Sequence, residues 1–123
     1  MVEDLFKTDK DLDLIKDGDV NYFVMNATDN KFTLDWLARA NDILDRIEKG
    51  NEPGVMVTVG TGPKIFHTGF DLDLWNNDKL QQYENFSVAF NFFARVLTFS
   101  IPTMAAINGH AFAGGLIHAL THD

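Results

Sequence analysis

The chain has 123 residues, of which 46% are apolar and 23% charged. That is enough to bury one core, and too apolar for a disordered chain. A formal net charge of −8 leaves no basic face for phosphates and so excludes nucleic acid as a partner. The absence of cysteine removes disulfide and thiolate chemistry.

No apolar run approaches the ~20 residues of a membrane-spanning helix. Met1 to Lys10 mixes acids and bases without Arg, unlike a signal or transit peptide. The expectation is a soluble intracellular protein. A small anionic ligand remains open, because backbone N–H groups at helix starts bind anions without basic side chains.

Residues 12–16 and 20–25 alternate in character around Asp17-Gly18-Asp19, which predicts an opening β-hairpin. After a polar stretch, Thr33 stands where a hydroxyl caps a helix. Leu34, Leu37, Ala38, Ile43, Leu44 and Ile47 then predict an amphipathic helix ending near Gly50. Asn51-Glu52-Pro53-Gly54 breaks the chain. Val55 to Val59 is a short β-branched run, which predicts a buried parallel strand.

Residues 71–78 predict a short helix and residues 82–99 a longer one. In the latter, Phe86, Phe90, Phe93 and Leu97 recur at helical spacing beside Phe92 and Val96. Thr103 to Ile107 predicts another strand, and Leu116 to His122 the start of a helix. The strand–helix–strand order implies an α/β layered architecture.

Chemistry concentrates in two glycine turns, each following a strand and leading towards a helix. One spans Lys64 to Leu72 around Gly69; the other spans Ile107 to Gly115 around Gly109, Gly114 and Gly115. Glycine lets a backbone approach a ligand closely, and a helix start has free N–H groups. Two such turns converging would give two donors to one developing oxyanion. Spacing alone leaves plain loop geometry open, since such turns occur in any α/β protein.

The motif Phe66-His67-Thr68-Gly69-Phe70-Asp71-Leu72 resembles the first oxyanion motif of the crotonase family of acyl-CoA enzymes. Asn108-Gly109-His110-Ala111-Phe112-Ala113-Gly114-Gly115 resembles the second. The order of hairpin, Asn30–Leu34 loop, helix, strand, motif, aromatic helix, strand and motif also matches. The resemblance implies an α/β fold, the ClpP/crotonase spiral of ββα units. Residues 1–123 would be a single domain forming its N-terminal portion, cut at the C-terminal end.

The resemblance further implies that the backbone N–H groups of Phe70 and Gly114 form an oxyanion hole for the thioester oxygen of an acyl-CoA. Lys31, His67, Asp71 and Leu72 would contact the CoA portion, and Gly115 completes the substrate-binding set. Phe70 departs from the small residue usual at its position, which would reshape the acyl pocket. No cofactor is implied, because CoA is part of the substrate. A homo-oligomer, trimer or hexamer, and a peroxisomal or mitochondrial setting follow from the same resemblance.

Family hydratases place their first acid where this chain has Ile117, which cannot transfer a proton. That argues against hydration; Gly109-His110-Ala111-Phe112-Ala113-Gly114-Gly115 with the later His122-Asp123 resembles the Δ3,Δ2-enoyl-CoA isomerases of fatty-acid oxidation, in which one carboxylate removes and returns a proton. In the family that carboxylate lies beyond residue 123; Glu84 and the acids near Asp71 read as surface groups. The alternatives are a truncated, non-catalytic binding or assembly subunit, or another crotonase reaction such as hydration. His118 and His122 have i, i+4 spacing, and His110 lies nearby in sequence, but a metal site needs a third ligand and outer support, so no metal is expected.

Overall fold

The computed structural model describes residues 2–123; the side chains of residues 2, 3 and 75 lie outside that description. A short helix α1 (Val2–Leu5), unforeseen in the sequence, precedes the hairpin of β1 (Leu12–Asp17) and β2 (Val20–Met25). The hairpin is antiparallel, with Leu12 opposite Met25 and Asp17 opposite Val20. β3 (Lys31–Phe32) leads into α2 (Leu34–Gly50) and then β4 (Val55–Gly60). After β5 (Ile65–His67) and β6 (Gly69–Phe70) come α3 (Leu72–Asn77) and α4 (Lys79–Leu97). β7 (Thr103–Ala106), β8 (His110–Ala111) and α5 (Gly114–Leu120) complete the chain.

The main sheet has the order β1-β2-β4-β7. β2 runs parallel to β4, Val20 beside Val55, and β4 parallel to β7, Met56 beside Thr103. Parallel neighbours need crossover connections, which α2 and the α3–α4 segment supply. The central strands bury Phe23, Val24, Met25, Met56, Thr58 and Val59. The last residue is tied to edge strand β7: Asp123 N–H donates to the Thr103 carbonyl at 3.1 Å, and Thr103 N–H donates to the Asp123 carboxylate at 2.9 Å.

α2 forms as its sequence dictates. Thr33 Oγ1 accepts from Trp36 N–H at 3.0 Å, and Asn51, left-handed at φ 46°, ends the helix. Its buried stripe is Trp36, Leu37, Ala40, Ile43, Leu44 and Ile47. Ala38, expected inside, is exposed; two residues from Trp36, it faces the opposite side of a 3.6-residue turn. Arg95 of α4 joins the two long helices. It donates to the Asn41 side chain at 3.0 Å and to the Asp45 carboxylate at 2.6 Å.

α4 begins at Lys79, three residues before the expected start, because the Asp78 carboxylate accepts from Gln81 N–H and caps it. Its buried face is Asn85, Ala89, Phe92, Phe93 and Val96. Phe90 and Leu97, expected in the stripe, are 57% and 63% exposed. A helix apolar over most of its girth gives periodicity little power to choose a face. What fixes the phase is polar: Asn85 is buried and donates to the Phe32 carbonyl at 3.0 Å. Met104 on edge strand β7, Ile107 just after it, and Leu116 and Leu120 on α5 are all exposed.

The phase of α4 is testable by denaturant unfolding. Phe92→Ala should cost about 3–5 kcal/mol, as for a fully packed aromatic, whereas Phe90→Ala should cost below about 1 kcal/mol. Equal losses would place both rings in the core and refute this packing.

Candidate active site

The two glycine turns are more ordered than loops. Each contains short parallel strands: β3 pairs with β6, setting Lys31 beside Gly69, and β5 pairs with β8, setting Ile65 beside His110. Phe112 N–H donates to the His67 carbonyl at 3.0 Å, and Thr68 N–H to the Asp29 carbonyl at 3.1 Å. Asn108 donates to the carbonyls of Gly60 and Gly62 at 2.8 and 3.1 Å, tying the second motif to the end of β4. Buried Asn30 donates to the Phe66 carbonyl at 3.0 Å, fixing the segment that carries Lys31. Neither asparagine's bracing role was legible from sequence, because the carbonyls they bridge are distant along the chain.

The turns touch backbone to backbone. Gly69 is at φ +89°, and a methyl group there would lie 2.9 Å from the Gly114 nitrogen and 3.3 Å from that of Gly115. A methyl group on Gly115 would collide with the His67 carbonyl. Phe112 to Gly115 form a tight turn closed by Gly115 N–H donating to the Phe112 carbonyl at 2.7 Å. Its second residue, Ala113, sits at φ 45° and ψ −115°, close to the type II′ geometry that favours glycine. Holding alanine there costs of order 1–3 kcal/mol. The Gly114 N–H is the central amide of this turn and takes no part in the closing bond. α5 begins at Gly114, two residues before the expected start.

A cleft of about 650 Å³ opens beside these turns, lined by Lys31, Thr68, Phe70, Asp71, Leu72, Asp73, Phe112 and Ala113. It therefore gathers four of the seven residues singled out from sequence: Lys31, Phe70, Asp71 and Leu72. Gly114 and Gly115 follow the lining residue Ala113 and are themselves buried. Thr68, Asp73, Phe112 and Ala113 are additions that the motifs alone did not single out. Lys31 pairs with Asp29 at 3.4 Å, and the Asp71 carboxylate caps α3 by accepting from Asp73 N–H at 3.0 Å.

His67 differs from the rest. Its side chain is fully buried, 4.1 Å between ring centroids from Phe32 and 5.1 Å from Trp36. Any ligand contact by His67 would therefore come from its backbone. Gly69 N–H donates to His67 Nδ1 at 2.9 Å, which leaves the ring proton on Nε2.

His118, on α5, is also buried, with its ring 5.5 Å from that of His67 and 6.2 Å from that of Phe66. Among the described residues, neither His67 Nε2 nor either ring nitrogen of His118 finds a hydrogen-bond partner. Desolvation pulls the His67 pKa down to about 3 and His118 well below its ordinary value. His122 is also lowered, mainly by burial, and its ring meets Thr58 Oγ1 at 2.7 Å. His110 is exposed and stacks on Phe112. Among the described residues, no group of three His, Asp or Glu comes together as a metal site would require, and no helix is long and apolar enough to cross a membrane.

This layered arrangement is the crotonase fold: Pseudomonas aeruginosa DspI superimposes with a TM-score of 0.85 at 27% identity, covering 95% of this chain and 50% of that one. A family model described as Enoyl-CoA hydratase/isomerase matches residues 20–123. The chain is similar to Enoyl-CoA delta isomerase 3 of Arabidopsis thaliana, 33% identical over 117 residues, covering 89% of this chain and 48% of the relative. It is similar also to the peroxisomal Enoyl-CoA delta isomerase 2 of that plant, 34% identical over 124 residues, with 89% and 49% covered. The chain belongs to the enoyl-CoA hydratase/isomerase family. It spans about half the length of the curated relatives it matches.

The backbone contact predicts opposite effects of two small substitutions, measured by urea unfolding. Gly115→Ala should destabilise by about 3 kcal/mol through overpacking. Ala113→Gly should stabilise by about 1 kcal/mol, its strain relief exceeding the added chain entropy.

The histidines predict acid sensitivity. Their folded pKa values lie below the unfolded value of 6.5, so above pH 6.5 both states are neutral and stability is flat. As pH falls below 6.5 the unfolded state takes up protons first, and each fully buried histidine removes about 1.4 kcal/mol per pH unit. For His67 this loss continues until about pH 3. His118→Phe should shrink the difference in urea midpoint between pH 7 and pH 5; an unchanged difference would show that His118 is not held neutral.

Proposed function

We propose that this chain supplies the acyl-thioester site of an enoyl-CoA isomerase of fatty-acid oxidation, which shifts a 3-enoyl-CoA double bond to the 2-position. The observation that carries this reading is the contact between the Gly69 turn and the Gly114 amide. The N–H groups of Phe70 and Gly114 would donate to the thioester oxygen. When a base removes a proton from C2, the electron pair moves onto that oxygen as an enolate, and donors aimed there lower the barrier. The enolate collapses as the same base returns the proton to C4, and the double bond then lies between C2 and C3. No external acid or separate cofactor is needed.

Lys31, Asp71 and Leu72, with the backbone of His67 and Gly115, would hold the CoA portion. The names of the plant relatives support isomerisation. So does Ile117, half-exposed on α5 where a hydratase needs an acid. Asp71 is engaged as a helix cap and Glu84 is exposed on α4. The proton-carrying carboxylate is therefore assigned, by family resemblance, to a position past residue 123. One relative's name is peroxisomal, which favours that compartment over a mitochondrial one.

A second reading, a non-catalytic assembly subunit, draws on the exposed apolar surface of Met104, Ile107, Leu116 and Leu120. The same surface suits the homo-oligomer expected of the family. Calorimetric titration of a 3-enoyl-CoA into the chain, with light scattering on the same sample, decides between the readings. The acyl-CoA should bind, and Gly114→Pro should weaken it about 10–100-fold by removing one N–H donor. Proline is tolerated at the first position of a helix, and circular dichroism verifies that the fold survives. A folded wild-type chain that binds no acyl-CoA refutes the isomerase site; a stable monomer that binds it refutes the assembly reading.

A further inference from the structure

Building on the thioester site just proposed, we infer that the Phe70 ring is a specificity-determining partition that ends the cleft and confines the site to short acyl groups. Gly114 is buried, and what covers its α-carbon is aromatic. A methyl group there would lie 3.0 Å from Phe70 Cδ2 and Cε2 and 3.2 Å from Phe32 Cε2. The Phe70 ring is locked in this position, 5.3 Å from the Phe32 ring and 4.5 Å from the Phe86 ring, edge to face.

Phe86 continues into a row on α4. Its ring stacks with that of Phe90 at 6.2 Å, and Phe90 meets Phe93 at 5.8 Å. This aromatic row offers apolar surface to a long hydrocarbon chain. Yet no residue of α4 lines the cleft, whose wall on that side is Phe70 itself. The cleft also carries the polar residues Lys31, Thr68, Asp71 and Asp73, each at least partly open to solvent.

An acyl group whose carbonyl reaches Gly114 through this cleft therefore meets the face of Phe70 after a few carbons. A longer chain has no buried route to the aromatic row and must lie in water. Replacing the ring by a methyl group would join the cleft to the space bounded by Phe32, Phe86 and Phe93. Only then would extra methylenes be buried, each strengthening binding about fourfold.

The test is calorimetric titration of free CoA, butanoyl-CoA, hexanoyl-CoA and decanoyl-CoA into the wild-type chain and into Phe70→Ala, with Phe70→Leu as a milder variant should the alanine form unfold. Wild type should bind butanoyl-CoA and hexanoyl-CoA, and lengthening to decanoyl should improve the dissociation constant less than about twofold. Phe70→Ala should prefer decanoyl-CoA over butanoyl-CoA by more than about tenfold, and Phe70→Leu should fall between. A steep gain with length in the wild type, or the same flat profile in every folded variant, overturns the partition while leaving the acyl-CoA site standing. Failure of every thioester to bind better than free CoA, in all variants, overturns the site itself and the partition with it.

Discussion

Between the turn at Gly69 and the start of α5 there is no room for a side chain. Gly69 reaches the amides of Gly114 and Gly115, and Gly115 in turn lies against the carbonyl of His67. Backbones brought this near have only glycine available to them, and everything else about the site is arranged to hold them there. The parallel pairings of β3 with β6 and of β5 with β8 clamp the turns from both sides. Asn30 and Asn108 supply side-chain donors to carbonyls that the ladders leave over. Ala113 is kept in a conformation that L-residues avoid, and that is a local cost imposed by the surrounding packing.

Behind the clamp lies an aromatic interior in which histidine takes the place of phenylalanine. His67 and His118 stand among Phe23, Phe32, Trp36, Phe66 and Phe92. They bring the shape of an aromatic ring and the liability of nitrogens without partners. Because His67 belongs to the first turn and His118 to α5, their contact joins the same two segments that meet at Gly69. Anything that charges this interior acts directly on the geometry of the site.

Much of this was legible in the sequence, because it is local. The hairpin turn, the Thr33 cap, the α2 stripe and the short helix after Asp71 each depend on neighbours within a few residues. The glycine motifs carried the family and the positions of three cleft residues, Phe70, Asp71 and Leu72, and the Asn30–Leu34 loop carried the fourth, Lys31. What escaped was set by distant partners. The buried face of α4 is chosen by Asn85 reaching the Phe32 carbonyl, and nothing in a run of phenylalanines announces that. His67 looked like a ligand contact because its motif lies at the site, but its strand turns the ring inwards. The early start of α5 follows from the turn at Ala113, whose strained dihedral no residue pattern reveals.

The parallel register of the main sheet also orders events in time. β1 and β2 can pair as soon as they exist, but β2 meets β4 only after α2 has closed the connection, and β4 meets β7 only after α4 has done the same. Contacts between segments so far apart form late, because loop-closure entropy must be met before they contribute. Gly69 and Gly114 are about as far apart along the chain as β4 and β7, so their meeting carries a similar closure cost. In a chain whose α5 has not docked, the Gly69 turn would lack the Gly114 and Gly115 backbone that packs on it.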